Sequence, residues 1–380
     1  MSSARTFAEQ LLSKADIKIG GNRSWDLSVH DERVFNRVLR HGTLGLGEAY
    51  MDGWWDVEKL DEFFCKVLSA HLDREITFNA TVFFSVIKAY FFNLQSNSRS
   101  KRVGEQHYDI GNDLYEAMLD KRMVYTCGYW GAPSTGSGQA AARMLDEAQE
   151  AKLDLVCKKI GLKAGDRVLD IGGGWGSFAK FAAERYGAST VAITISKEQA
   201  TLGRELCADL PVEIRLQDYR ELDEKFDHII SLGMFEHVGP KNYREYFKIA
   251  NRCLKDDGFF LLHTIGFNLS VPAAEPWTDT YVFPGGVLPS VAEIGKDTEG
   301  LFVMEDWHNF GADYDKTLMA WFKNFDAAWP ALRDRYDDRF YRMWKYYLLM
   351  CAGGFRARNL QLWQVVFSKD GVPGGYKSVR

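Results

Sequence analysis

Val168-Leu169-Asp170-Ile171-Gly172-Gly173-Gly174-Trp175-Gly176 is the stretch on which the fold turns. A short apolar run leads straight into glycines at alternate positions. A glycine loop directly after a buried strand and before a helix lets a ligand approach the backbone closely, at the carboxyl end of a parallel strand. Working outward, β-rich runs alternate with helical patterns. Thr190–Thr194, Val212–Leu216, His228–Leu232 and Phe259–His263 read as strands two to five, with helical spacing over Lys197–Leu210 and Tyr243–Leu254. Such alternation predicts an α/β fold whose parallel sheet is covered on both faces. Val365-Val366-Phe367 is expected to add a late edge strand.

The loop spacing narrows the ligand. A dinucleotide fingerprint needs its last glycine where Ser177 stands, which disfavours NAD. Glu198 nevertheless lies at roughly the 20-residue distance of a ribose-binding acid, so spacing alone leaves that reading open. D-I-G-x-G-x-G after an apolar strand resembles the first motif of class I methyltransferases, which bind S-adenosylmethionine. The plain alternative is an ordinary strand-to-helix turn. The second strand ends in Thr194-Ile195-Ser196-Lys197-Glu198-Gln199. Many methyltransferases place a carboxylate on the ribose here; Thr194 and Gln199 offer neutral hydrogen bonds instead. Gln217-Asp218 follows the third strand, where adenine would lie. On spacing alone each of these is more simply a surface polar residue.

At 380 residues the chain is long enough for two domains. Hydrophobic residues at 46% and charged residues at 26% suit a soluble globular protein. Aromatics reach 14%, with 11 Trp, more than packing requires, so an aromatic-lined pocket is expected. The net charge of -5 argues against general nucleic-acid binding, which needs clustered Lys and Arg. It leaves room for a local basic patch on a membrane surface. Cys65, Cys127, Cys157, Cys207, Cys253 and Cys351 are widely spaced with no C-x-x-C, which reads as reduced thiols in a cytoplasmic protein. Met1–Ala8 shows no signal-peptide pattern, and the apolar run near Phe259–Leu262 is far short of a membrane span. The dispersed histidines contain no H-x-x-x-H, so no metal is expected.

Residues 1–100 read mainly as helix, with apolar spacing over Leu60–Leu68 and a very aromatic segment at Phe83–Phe92. A polar, basic stretch at 93–104, with Arg99, Lys101 and Arg102, looks like a linker. The expected organisation is a smaller, mainly helical N-terminal domain, 1–100, and a catalytic domain, 105–380. The aromatic segment and the basic residues suit an anionic surface; a helical core or subunit interface beside a solvated linker fits them equally.

Several longer stretches point to one family. His107-Tyr108-Asp109-Ile110-Gly111-Asn112-Asp113-Leu114-Tyr115 precedes Tyr125-Thr126-Cys127-Gly128-Tyr129-Trp130 and the glycine loop. Gly233-Met234-Phe235-Glu236-His237-Val238-Gly239, Leu262-His263-Thr264-Ile265-Gly266 and Asp306–Tyr314 follow. Together with Leu44–Trp55, they resemble the cyclopropane-fatty-acyl-phospholipid synthase family, which is similar to the mycolic acid cyclopropane synthases. The resemblance covers nearly the whole chain. It implies a class I, Rossmann-like, mostly parallel seven-stranded sheet, a lipid-binding N-terminal domain and a homodimer. The implied localisation is cytoplasmic, on the inner face of the membrane, with unsaturated phospholipids as substrate and no nucleic-acid partner.

The resemblance also implies site residues. Tyr125, Thr126, Asp170, Gly172, Gly174, Thr194, Gln199, Gln217 and Asp218 would surround S-adenosylmethionine. Cys127, Glu236, His263, Ile265 and Tyr314 match positions that hold a bicarbonate ion, and Cys351 matches a cysteine long regarded as catalytic. Gly173 stands where the family usually has Cys, Thr126 where it has Ser, and Gly128 where it has Ala. The implied chemistry is coherent. Methyl transfer to an alkene leaves a carbocation, and removal of a methyl proton closes the ring. The site must hold a base, stabilise a cation and exclude water. Glu236, His263 and Tyr314 would orient the bicarbonate, with the backbone of Cys127 and Ile265 donating to it. Taken singly, His263 reads as a core histidine, Glu236 as a helix N-terminal charge and Cys351 as an inert packed thiol. Two other functions stand beside this one: N- or O-methylation of a small molecule, and an inactive lipid-binding scaffold.

Overall fold

A computed structural model describes residues 3–72, 111–131 and 144–380. The aromatic run Phe83–Phe92, the basic stretch 93–104 and the first four residues of the His107 motif lie outside the described residues. The chain divides into two compact units. The first comprises Met1–Asn93, Pro272–Gly285 and Tyr314–Leu360; the second comprises Leu94–Val271, Gly286–Asp313 and Gln361–Arg380. These boundaries differ from a single break near 93–104, because two later segments pack with the N-terminal helices.

Among its described residues the first unit is helical apart from a strand pair, β1 Ser28–Val29 and β2 Trp55–Asp56, and aromatic rings join its segments. The helix Arg33–Met51 is broken at Gly42, whose φ of 58° is left-handed. The ring of Trp277, in the helix Pro276–Tyr281, lies where a Cβ on Gly47 would meet it at 2.2 Å. Tyr346, in the helix Asp338–Arg356, packs 4.5 Å from Trp277 and 5.4 Å from Tyr50. That helix crosses Leu60–Ser69 closely, since a Cβ on Gly353 would approach Asp61 O to 2.6 Å. Arg342 stacks over the Tyr50 ring at 4.1 Å and donates to Trp55 O and Asp56 Oδ1. These contacts join residues nearly 300 positions apart, so no local pattern announces them.

The second unit holds a seven-stranded sheet in the order β5-β4-β3-β6-β7-β9-β8. Its strands are β3 Arg167–Ile171, β4 Ser189–Thr194, β5 Val212–Leu216, β6 His228–Leu232, β7 Phe260–Phe267, β8 Val303–Asn309 and β9 Leu360–Ser368. β5 to β4, β4 to β3, β3 to β6 and β6 to β7 pair in parallel. Side chains alternate between two cores, as a strand's period of two requires. Leu169, Ile229, Phe260 and Val365 face Tyr246 and Phe247 of the helix Tyr243–Cys253. Val168, Ile230, Leu261 and Val366 face Leu153, Val156 and Phe181 on the other side. Burying both faces is why these strands read as near-continuous apolar runs.

The expected late edge strand is corrected. β9 is nine residues long and lies between β7 and β8, so Val365, Val366 and Phe367 are fully buried. The edge on that side is β8, antiparallel to β9 with a bulge between Met304 and Asp306. Its polar, half-exposed sequence Val-Met-Glu-Asp-Trp-His-Asn carries little strand signal.

Candidate active site

The carboxyl ends of β3, β4, β6 and β7 gather the functional side chains. After β3, Gly172, Gly174 and Gly176 take φ values of 86°, 55° and 82°, all left-handed. The amides of Gly172 and Gly173 both donate to Ile193 O at 3.0 Å, which ties the loop to β4. A Cβ on Gly172 would stand 2.6 Å from Met234 Cβ, so glycine is what lets this loop lie against the residues after β6. Asp170, two residues before Gly172, is buried with Oδ1 unpartnered. Burial pushes its pKa up to about 7, against the pull of Lys152.

An irregular segment, 119–131, lies over this end and is held by the helix Leu145–Lys159. Gln149 Nε2 donates to Thr126 O at 2.8 Å, and Lys152 Nζ donates to Thr126 Oγ1 at 2.7 Å. Lys152 is fully buried; burial lowers its pKa to about 8, while Asp120, Cys127 and Asp170 push it back up. A Cβ on Gly233 would stand 2.6 Å from Thr126 Cγ2, so Tyr125, Thr126 and Cys127 sit at the end of β6. The Tyr125 ring meets Tyr115, which meets Trp175, with centroids 5.1 Å apart at each step. This is an aromatic wall beside the glycine loop.

At the end of β4, Thr194 Oγ1 donates to Gln199 Oε1 at 2.8 Å, and the Gln199 amide donates to Ser196 Oγ. The Gln217 amide donates to Thr194 O, bringing the β5 end alongside. Asp218 turns back onto its own short helix, accepting from the Arg220 amide and pairing with Arg220 Nη1 at 2.9 Å.

Glu236 lies in the one-turn helix Phe235–His237 after β6, and His263 lies on β7 beside Leu232. Glu236 Oε1 accepts from the Ile265 amide at 2.6 Å, while the buried Oε2 has no partner. Burial raises the Glu236 carboxyl to about 7, against the Ile265 hydrogen bond. His263 is held well below its ordinary pKa by burial first, then by Lys152 and Lys159. Its Nδ1 lies 3.2 Å from the side-chain amide of Gln364 on β9, and its Nε2 has no partner. One structural detail departs from expectation. The Ile265 N–H, expected to donate to the anion, donates here to Glu236 Oε1 and so orients the carboxylate.

Tyr314 and Cys351 belong to the first unit. Tyr314 is buried, its ring 4.6 Å from Phe355 and 5.9 Å from Trp321. Cys351 is half-buried, and its thiol is pushed up to about 12 by burial and then by Glu275.

The profile of the mycolic acid cyclopropane synthetase family matches residues 95–365. Cyclopropane-fatty-acyl-phospholipid synthase of Escherichia coli strain K12 is 52% identical over 373 residues, covering 98% of this chain and 95% of that protein. The chain belongs to the cyclopropane-fatty-acyl-phospholipid synthase family. Among solved structures, the mycolic acid cyclopropane synthase CmaA1 complexed with SAH and CTAB is 31% identical, with a TM-score of 0.63, covering 71% of this chain and 98% of that one. The cyclopropane synthase MmaA2 from Mycobacterium tuberculosis is 26% identical with a TM-score of 0.65, again covering 71% and 98%. Two departures from the synthase pattern acquire a local reason. A Cβ on Gly173 would meet Ala192 Cβ at 2.6 Å, and one on Gly128 would meet Ala148 Cβ at 3.0 Å.

Sequence reasoning missed Gln149, Lys152 and Gln364. Gln149 and Lys152 lie three apart on the helix face that also buries Leu145, Ala148 and Val156, so helical spacing carried the signal. Gln364 is a glutamine inside an otherwise apolar strand, and a polar residue in such a place asks for a partner.

Proposed function

We propose that this enzyme uses S-adenosylmethionine to add a methylene across the double bond of unsaturated phospholipid acyl chains, with bicarbonate as the base. The observation that carries the reading is the pair of buried, unpartnered atoms Glu236 Oε2, just after β6, and His263 Nε2, on the adjacent parallel strand β7. Leaving two such atoms without partners is costly unless a ligand satisfies them. The donor and acceptor character of the pair suits a small oxyanion that carries one proton.

S-adenosylmethionine supplies the methyl group, and bicarbonate supplies the base that takes a proton from it. The chain's own residues do the rest. The left-handed glycines after β3 leave the backbone open to the cofactor. Thr126 is fixed by Lys152 and Gln149, and Thr194 by Gln199. The Ile265 amide fixes one oxygen of Glu236, so the other is aimed. Neutral His263 offers a hydrogen bond without competing for the proton. The rings of Tyr115, Tyr125 and Trp175 pack against one another beside the glycine loop, where aromatic groups would stabilise developing cationic charge and exclude water. Tyr314 is assigned to the same anion on the resemblance alone. We assign Cys351 no nucleophilic part, since burial pushes its thiol up and favours the protonated form.

Among the described residues no helix is long and apolar enough to cross a membrane. We assign lipid access to transient peripheral contact through the N-terminal part, in a homodimer on the cytoplasmic membrane face. The test incubates the full-length protein with S-adenosylmethionine and vesicles of unsaturated phospholipid. A mass gain of one CH2 with loss of alkene proton signals is expected, slowed in carbonate-depleted buffer and restored by added bicarbonate. A methyl gain with the alkene retained would refute the ring-forming chemistry. No gain would leave only the scaffold.

A further inference from the structure

The histidine at the centre of the site has a partner on a strand that the chemistry above does not use. Gln364 sits on β9, fully buried, with its amide nitrogen 3.2 Å from His263 Nδ1. With the amide nitrogen of Gln364 facing the ring and donating, Nδ1 is the accepting, unprotonated nitrogen, and the single proton of a neutral ring resides on Nε2. Nε2 is the buried atom that lacks a protein partner. We propose that Gln364 is a positioning residue that locks His263 in the Nε2–H tautomer, making that nitrogen a hydrogen-bond donor to an anion held beside Glu236. This rests on the reading of Glu236 and His263 as the bicarbonate site.

Three further observations agree with it. His263 is kept neutral, so it has only one ring proton to place. Lys152 and Lys159, both buried, contribute positive potential at the ring, which opposes a protonated imidazole and favours an anion. Gln364 also stands opposite His308 in the β8–β9 register, and Lys159 Nζ lies 3.1 Å from His308 Nδ1. A second basic group therefore holds that neighbouring imidazole, leaving Gln364 to serve His263. A partner on the far ring nitrogen that sets tautomer and orientation is a recurrent device where a histidine must present a defined face.

Exchange of Gln364 tests this in the full-length enzyme labelled with 15N-histidine. The His263 signals are assigned by their loss in His263→Gln. Two-bond proton–nitrogen correlation spectra should show wild-type His263 with Nδ1 unprotonated and Nε2 protonated. In Gln364→Glu the carboxylate only accepts, so the pattern should invert. The kcat should then fall about 100-fold, with the KM for S-adenosylmethionine changed less than about threefold, and bicarbonate stimulation should vanish. Gln364→Met keeps the volume and removes the partner. It should show a mixed nitrogen pattern and a loss of about tenfold, and it decides the matter if the Glu variant does not fold. An unchanged Nε2–H pattern in both variants would overturn the proposal. So would an inverted pattern with wild-type kcat. A wild-type enzyme indifferent to bicarbonate would instead defeat the anion reading, while the nitrogen spectra of the variants still decide what Gln364 does.

Discussion

Replacing Glu236 by Gln should make the protein more stable and far less active, and the gain in stability should grow with pH. Burial raises this carboxyl from its ordinary 4.5 to about 7. An acid whose folded pKa lies above its unfolded one holds its proton more tightly when folded. Stability is therefore lost as pH rises from about 4.5 to about 7, and the penalty is complete above that. A shift of this size corresponds to about 3 kcal/mol at pH 8.5, against about 1.4 kcal/mol at pH 5.5. Glutamine carries no such penalty. Its unsatisfied amide adds a cost that does not depend on pH, so the comparison across pH isolates the carboxylate. The advantage of Glu236→Gln should grow by about 2 kcal/mol between those pH values, or about 4 °C in unfolding temperature for a unit of this size. Thermal unfolding of both proteins at both pH values measures it. Activity on phospholipid vesicles should drop at least 100-fold. A stability difference that stays the same within about 1 °C at the two pH values would refute the claim that a buried carboxylate with one unpartnered oxygen sits here.

Other outcomes follow from local geometry. Gly173→Cys should destabilise by about 1–3 kcal/mol through the clash with Ala192, and adding Ala192→Gly should recover at least half; unfolding in urea reads both. Lys152→Met removes the donor to Thr126 Oγ1, so calorimetry should show affinity for S-adenosylmethionine weakened about tenfold, or about 1.4 kcal/mol; unchanged affinity would assign Lys152 to stability alone. Cys351→Ser should retain activity within about threefold, since a thiol pushed up to about 12 is not a nucleophile; a loss beyond 100-fold in the vesicle assay would give the sulfur a chemical part.

The sheet was legible where burial on both faces imposed apolar runs. The segments around Leu169, Ile193, Ile214, Ile230 and Leu261 all form strands within a residue or two of the expected bounds, although β7 continues to Phe267. β8 was not, because an edge strand half in solvent keeps Glu305, Asp306, His308 and Asn309 in its sequence. The glycine loop was legible because left-handed φ and close approach to Met234 demand glycine. The roles of Lys152 and Gln364 were not, since a lysine on a helix ordinarily reads as solvated and a glutamine's partner sits 101 residues away. Glu236 and His263 were singled out only through longer family-like stretches. Their alternative readings fade once the Oε2 and Nε2 atoms are found buried and unpartnered. The helical segments after residue 272 escaped the expected domain division because Trp277 and Tyr346 find their aromatic partners near residue 50.

That interleaving has a consequence for how the protein comes into being. Asp61 and its ion-pair partner Arg356 are 295 residues apart. A ribosome adding about 5–20 residues each second needs roughly 15–60 s to supply the second after the first. Throughout that interval Tyr50, Trp55 and Phe63 have been translated, but the helix that will cover them has not. The first unit therefore closes only near the end of synthesis, after most of the sheet-bearing unit has emerged. Nascent chains halted before residue 338 should present this aromatic surface to chaperones, and heterologous yield should depend more on holdase capacity than on codon speed in the sheet region.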